Sequence, residues 1–169
     1  AQAARNAQDG ISVIQTAEGA LTEVHSILQR MRDLAVQGAN DTNNADSRAA
    51  ITKEADALGA ELFRIGESTN FNGIGVLDGS AISIQVGTGS DAAKDQIEVT
   101  LGKKADFSAV ATATDAGAFD VTDSTVAQTT ITALDLAIKN VSTTRSDLGA
   151  SQNRLEHTIK SLNVAGENL

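Results

Sequence analysis

Two histidines, a few closely spaced carboxylates and the Gly-x-Gly step at Gly73 are the groups in this chain whose types suit chemistry. His25 and His157 stand alone in helix-like patterns, and neither belongs to a His-Glu-x-x-His pair, so zinc hydrolysis lacks its ligand spacing. Glu156 directly precedes His157, and neighbours in a helix point apart. Asp91 and Asp95 lack the ligand spacing of a calcium loop. Gly73-Ile74-Gly75 is a fragment of no larger fingerprint, and turn geometry accounts for it. No Gly-x-Ser-x-Gly step or phosphate loop is present. Without cysteine there is neither a disulfide nor a thiolate metal site. Catalysis needs an acid, a base or a nucleophile held close together. The residues supply no such set, so the expectation is a protein that is not an enzyme, with no cofactor and no metal.

The patterned stretches point to contact instead. From Ala127 every seventh residue is apolar, through Leu134, Val141, Leu148, Leu155, Leu162 and Leu169. A second set four residues on reads Ile131, Ile138, Arg145, Gln152, Ile159 and Gly166. Spacings of 3 and 4 place both on one helical seam that packs against partner helices. A helix over this stretch is roughly 60 Å long, which implies a rod rather than a globule. Arg145 and Gln152 interrupt the seam where polar groups of a neighbouring helix are expected.

The N-terminal segment repeats the theme over about residues 1–39. Val13, Ala17, Ala20, Val24, Ile27, Met31 and Leu34 alternate at 4 and 3, with Ile14, Leu21, Leu28 and Ala35 beside them. The broad stripe predicts a helix touching two others. Because a helix drifts by ~20° per heptad, Leu34 is expected at the stripe's margin, exposed between Arg30 and Gln37. Gly38 to Asn44 is a turn by composition, and Asp46 or Ser47 is a candidate cap for a second helix over 45–68. That helix carries Ile51, Ala55, Leu58, Leu62 and Ile65, and the short connection makes it antiparallel to the first.

From Asn70 the period changes. Ile82, Ile84 and Val86 alternate with polar residues, as do Ile97, Val99 and Leu101 after a loop at 87–96, which predicts a β-hairpin within 70–102. Phe71 to Gly79 is a turn-rich strand, and 103–125 reads as loop with a short strand. The fold expected is α+β: an elongated antiparallel bundle of three main helices (about 1–39, 45–68 and 126–169) with a β-hairpin region (about 70–102), all in one domain. The absence of proline removes the commonest cause of a broken long helix.

Of the net charge of −9, residues 41–125 carry six basic and fourteen acidic side chains, hence −8, while the flanking segments are near neutral. Near-neutral ends suit helices that bury surface against neighbours, and an acidic middle suits exposure to water. Nucleic acid is a poor partner for such a surface. No run of about 18 apolar residues exists to span a membrane. Helical patterns at both ends read as a piece of a longer protein.

Three stretches resemble bacterial flagellin: Arg5-Asn6-Ala7-Gln8-Asp9-Gly10-Ile11-Ser12 with Gln15 to Leu21, then Leu28 to Gln37, then Arg145 to Arg154. Phe71-Asn72-Gly73 with Val76-Leu77 is similar to that family's first β element. The resemblance covers residues 1–102 and 126–169. It implies the filament-core portion of a flagellin: an extracellular structural subunit for motility, exported unfolded, whose partners are other flagellin subunits. The family's outer variable region would fall at 103–125, and its terminal inner-tube helices are not in this sequence, so this chain alone is expected to be monomeric. The resemblance further implies recognition by the flagellin-sensing Toll-like receptor of animals, through Gln29, Arg30, Asp33, Leu34, Gln37 and Glu54. Arg30 would offer directional donors, Leu34 would fill a pocket and Glu54 would accept a hydrogen bond. The alternative is the hook–filament junction protein, which has similar terminal helices. It usually departs from the Gln29–Gln37 and Arg145–Arg154 patterns kept here.

Overall fold

The long N-terminal helix follows from its unbroken run of apolar positions without proline. In the computed structural model, which describes residues 2–108, 110 and 118–167, α1 spans Gln2–Gly38. Its 37 residues extend about 55 Å. The buried side chains Ile14, Ala17, Leu21, Val24, Leu28 and Met31 form the stripe that the spacing required. Asn40, Asp41 and Thr42 carry the chain through a turn, Asn40 Oδ1 accepting from the Thr42 N–H at 3.0 Å. The second helix, α2, spans Ala45–Ser68 and is capped by Asn44, whose side chain accepts from Ser47 N at 2.8 Å. The cap is therefore one residue before the helix, not Asp46 or Ser47. Asn44 has the extended backbone that a cap requires, whereas Asp46 and Ser47 already lie inside the first turn.

Four short strands follow: β1 Asn70–Phe71, β2 Ile74–Gly75, β3 Ala81–Gln85 and β4 Gln96–Thr100. β1 and β2 form a two-pair hairpin, with Phe71 opposite Ile74. β3 and β4 pair antiparallel as the expected hairpin, with Ile82 opposite Val99 and Ile84 opposite Ile97. The short helix α3, Ala92–Asp95, lies in their connection, with Asp91 as its cap accepting from Ala93 N. Among the described residues of 103–125, where a short strand was expected, there is a single bridge between Asp78 and Lys103, followed by the one-turn helix α4, Ala105–Ser108, while 109 and 111–117 lie outside the described residues. Phe107 explains that turn: it is 1% exposed, so the chain coils to bring one aromatic ring into the core.

The last helix, α5, spans Ser124–Glu167, 44 residues and about 66 Å. Ala127, Leu134, Val141, Leu148 and Leu155 are all buried, and Ile131, Ile138 and Ile159 pack beside them half-buried. Leu162 is half-exposed, and the side chains of Gly166 and Leu169 lie outside the described residues. Three contacts descend in step: Arg32 meets Asp135, Glu18 meets Arg145, and Gly10 abuts Leu155. Each step down α1 is matched by a step up α5, so the two run antiparallel over nearly the whole of α1. α2 flanks the upper part of α1, from Arg48 at the Gly38 carbonyl to Glu54 at Arg30. Lower down the β3–β4 hairpin takes its place, with Ile84 against Gly10 and Asn6 donating to the Gln85 carbonyl at 2.9 Å. The result is an elongated helical bundle of α+β class.

Candidate interaction surface

α1 reaches sideways with arginines at two positions on opposite flanks. Arg30 points toward α2: its Nε donates to Glu54 Oε1 at 2.8 Å, and a second guanidinium nitrogen lies 2.7 Å from the same oxygen. Both side chains are about half-exposed, so the pair presents charge to solvent while bridging the helices. Arg32, two residues on, points toward α5 and donates to Asp135 Oδ1 at 2.6 Å. That bond from Asp135 holds the Arg32 guanidinium above its ordinary range, with Asp33 adding to the effect.

Five of the six residues expected to form a contact surface lie exposed on α1 and α2: Gln29, Arg30, Asp33, Gln37 and Glu54. Gln29 Nε2 lies 3.3 Å from His25 Nε2, one turn away in the same helix. The Gln37 side chain is open, while its carbonyl accepts from Asn43 Nδ2 at 2.7 Å and fixes the turn below. The sixth residue is different. Leu34 is 2% exposed and belongs to the hydrophobic core, which overturns the expectation of an exposed leucine at the stripe's margin. Helical drift carried Leu34 away from one partner helix but toward another, since α1 is flanked on both sides.

Arg145, the charged interruption of the α5 seam, meets a polar group of a neighbouring helix as expected: its Nε donates to Glu18 Oε1 at 2.7 Å. Gln152 does not, and donates instead to Glu156 of its own helix at 2.9 Å. Arg48 carries a role that periodicity did not reveal. Its guanidinium donates to the carbonyls of Gly38, Val121 and Asn40, tying the end of α1 and the approach to α5 onto α2. The available signal was a lone arginine one turn past a cap, beside carbonyls that any helix end leaves unpaired. Below the Arg30–Glu54 bridge, Gly19, Glu23, Ile27, Glu61 and Arg64 line an open groove between α1 and α2. The Arg64 bond holds the Glu61 carboxyl below its usual range.

Among the described residues no group of three or more His, Cys, Asp and Glu side chains is placed to hold a metal ion. Among the described residues no helix is long and apolar enough to cross a membrane. The arrangement offers hydrogen-bond donors, acceptors and charge along one face of α1 and α2.

Comparison with known proteins locates the family. The pattern described as the bacterial flagellin N-terminal helical region matches residues 1–82, and that of the bacterial flagellin C-terminal helical region matches residues 131–169. The crystal structure of Bacillus cereus flagellin superposes with a TM-score of 0.79 at 35% identity, covering 94% of this chain and 88% of that one. The chain belongs to the bacterial flagellin family. A flagellin of Halalkalibacterium halodurans is 53% identical over 168 residues, 99% of this chain and 60% of the relative. The flagellar filament 33 kDa core protein of Treponema phagedenis is 39% identical, again over 99% of this chain and 62% of the relative. The chain thus spans a little over 60% of the length of these relatives. Flagellins are structural proteins.

Proposed function

We propose that this chain forms the core of an extracellular bacterial flagellar filament, assembling with other flagellin subunits through its helical faces and serving motility. The observation that carries the reading is the pairing of α1 with α5, drawn from opposite ends of the chain, into a stiff antiparallel rod crossed by the Glu18–Arg145 and Arg32–Asp135 bonds. Such a rod transmits force along its length and offers long lateral faces to identical neighbours. A repeated head-to-tail contact between copies builds an open helical assembly where its rotation does not close into a ring. Similarity to flagellins favours the filament over the hook–filament junction. On its own the chain is proposed to be a monomer in solution. A discrete oligomer or polymer of this chain in light scattering contradicts that last point. For the main reading, the full-length protein is supplied to a bacterium lacking its own flagellin. Filaments and swimming are expected, and their absence despite secretion of the subunit sinks it.

A second reading concerns the α1–α2 face. Gln29, Arg30, Asp33, Gln37 and Glu54 serve both subunit contact and recognition by the flagellin-sensing Toll-like receptor of animals. The exposed Arg30–Glu54 pair supports this, since an arginine with fixed geometry makes directional bonds to a partner carboxylate or carbonyl. Leu34 supports the face from below instead of entering a partner pocket. Receptor-reporter cells treated with the Arg30→Ala and Glu54→Ala variants test the recognition half: signalling should fall, and unchanged signalling refutes it.

A further inference from the structure

Three steps in the chain place glycine directly after an Asp or Asn: Asp9-Gly10, Asn72-Gly73 and Asp78-Gly79. At such a step the glycine backbone nitrogen, unshielded by any Cβ, is open to attack the preceding side-chain carbonyl carbon. The fold treats the three very differently. Gly10 is inside α1 and packed so closely that a Cβ there would meet Ile84 at 3.0 Å and Leu155 at 3.2 Å. Asp78 is held in place, its Oδ1 accepting from Ser80 N at 2.9 Å and Ser80 Oγ at 2.6 Å, while Gly79 N donates to the Gly102 carbonyl at 3.1 Å.

Asn72-Gly73 enjoys none of that restraint. It forms the tip of the β1–β2 hairpin, both residues exposed, with φ of 51° and 81°. Two successive positive φ angles make this a type I′ turn. Nothing lies within 4 Å of the Cβ position on Gly73. The Gly73 N–H reaches Asn70 Oδ1 at 3.4 Å, longer than an ordinary hydrogen bond. Below the tip the ladder has two residue pairs, and a hairpin that short opens locally at little cost.

We infer that Asn72 is a site of spontaneous, base-promoted deamidation that turns a neutral hairpin tip into an anionic one. The Gly73 nitrogen, on losing its proton, attacks Asn72 Cγ. A bond forms between them, the bond from Cγ to the side-chain amide nitrogen breaks, and that nitrogen leaves as ammonia carrying the transferred proton. Water then adds to one of the two carbonyls of the resulting five-membered imide and opens the ring. Opening at the side-chain carbonyl leaves an aspartyl residue at position 72. Opening at the main-chain carbonyl leaves an isoaspartyl residue, with one more carbon in the backbone. No oxidant or cofactor is consumed. Either product makes the net charge of −9 one unit more negative. The isoaspartyl product also lengthens a two-residue turn whose twist matches its strands, which breaks the Phe71–Ile74 pairing. Phe71 packs half-buried against the core and Ile74 is 50% exposed, so the change alters an apolar patch beside the end of α2.

The test is ageing of the intact folded chain in mildly alkaline buffer, followed by peptide mapping with mass spectrometry and an isoaspartyl methyltransferase assay. Asn43 and Asn44, in the turn before α2, serve as internal references without a following glycine. Asn72 should convert about tenfold faster than either, equivalent to about 1.4 kcal/mol in activation free energy, and faster still as pH rises. Gly73→Ala should slow the conversion by a similar factor. Because its positive φ makes that variant strained, Asn72→Gln, which must close a larger ring, provides the independent check and should also be slow. Conversion of Asn72 no faster than Asn43 or Asn44, or an undiminished rate of ammonia release at this turn in Asn72→Gln, overturns the assignment.

Discussion

Glycine-to-alanine substitutions at four helical positions should change stability in opposite directions, with the sign set by the space beside each one. Gly19 in α1 and Gly149 in α5 have no atom within 4 Å of a built Cβ. Both are solvent-exposed and inside long helices. Alanine there introduces no clash and removes backbone freedom from the unfolded chain, worth about 0.5–1 kcal/mol at each position. The two share no partner, so the double variant should gain roughly 1–2 kcal/mol. For a chain of this size that raises the melting temperature by about 2–8 °C. Gly38 and Gly10 should behave in the reverse sense. A Cβ on Gly38 would lie 2.6 Å from both Cβ and Cγ1 of Val121, which is fully buried and stiff about χ1. Overpacking of that kind costs about 1–3 kcal/mol. Gly10 is the intermediate case, because Ile84 and Leu155 at 3.0 and 3.2 Å can yield a little, so a smaller loss is expected. Urea unfolding followed by circular dichroism gives the four midpoints, with unchanged slopes required for a two-state comparison. A destabilised Gly149→Ala, or a neutral Gly38→Ala, refutes the reasoning, since it would mean that the α1–α5 packing or the place of Val121 is other than described.

Leu155→Ala should cost about 2–5 kcal/mol, because Leu155 is fully buried in the α1–α5 seam, and a loss below 1 kcal/mol in urea unfolding would contradict that position. Arg48→Ala should cost roughly 1–3 kcal/mol by leaving the Gly38 and Val121 carbonyls without their charged donor, and Arg48→Lys should recover only part of this, since an ammonium cannot span both acceptors. Asp78 and Glu61 should titrate below the ordinary carboxylate range, Asp78 because Ser80 donates to it and Glu61 because Arg64 does. A lowered folded value means that their contribution is present above the unfolded range of about 4 and is lost as pH falls through the folded values, so stability should decline only on the acid side. Side-chain carbon shifts followed by NMR check this, and titration of Asp78 at or above the ordinary value counts against the Ser80 contacts.

Most of the architecture was legible because heptad spacing is a long-range signal. Leu134, Val141, Leu148 and Leu155 had to share one face whatever covered it, and the structure puts all four in the core. The hairpin was legible from alternation for the same reason, and the register that the structure shows is the one that keeps Ile84 and Ile97 on the buried face, since a slip by one residue would turn them outward. What periodicity lacks is the identity of the partner on each side. Asn44 over Asp46 as the cap of α2, and the turn of helix that buries Phe107, are both settled by single contacts that leave no period in the sequence.

Leu34 shows the limit most clearly. The drift of a straight helix places it at the edge of the first stripe, and for a helix with one partner that edge is solvent. α1 has two partners at this level. Arg30 reaches α2 on one flank and Arg32 reaches α5 on the other, so a residue rotated off the centre of one contact rotates into the next. With both flanks occupied, the solvent face of α1 at this level is narrow, and Gln29, Asp33, Gln37 and the 47%-exposed Val36 fill it. A partner that engages this surface therefore meets directional hydrogen-bond donors and acceptors on a stiff rod, and the apolar residue beneath governs how firmly they are held.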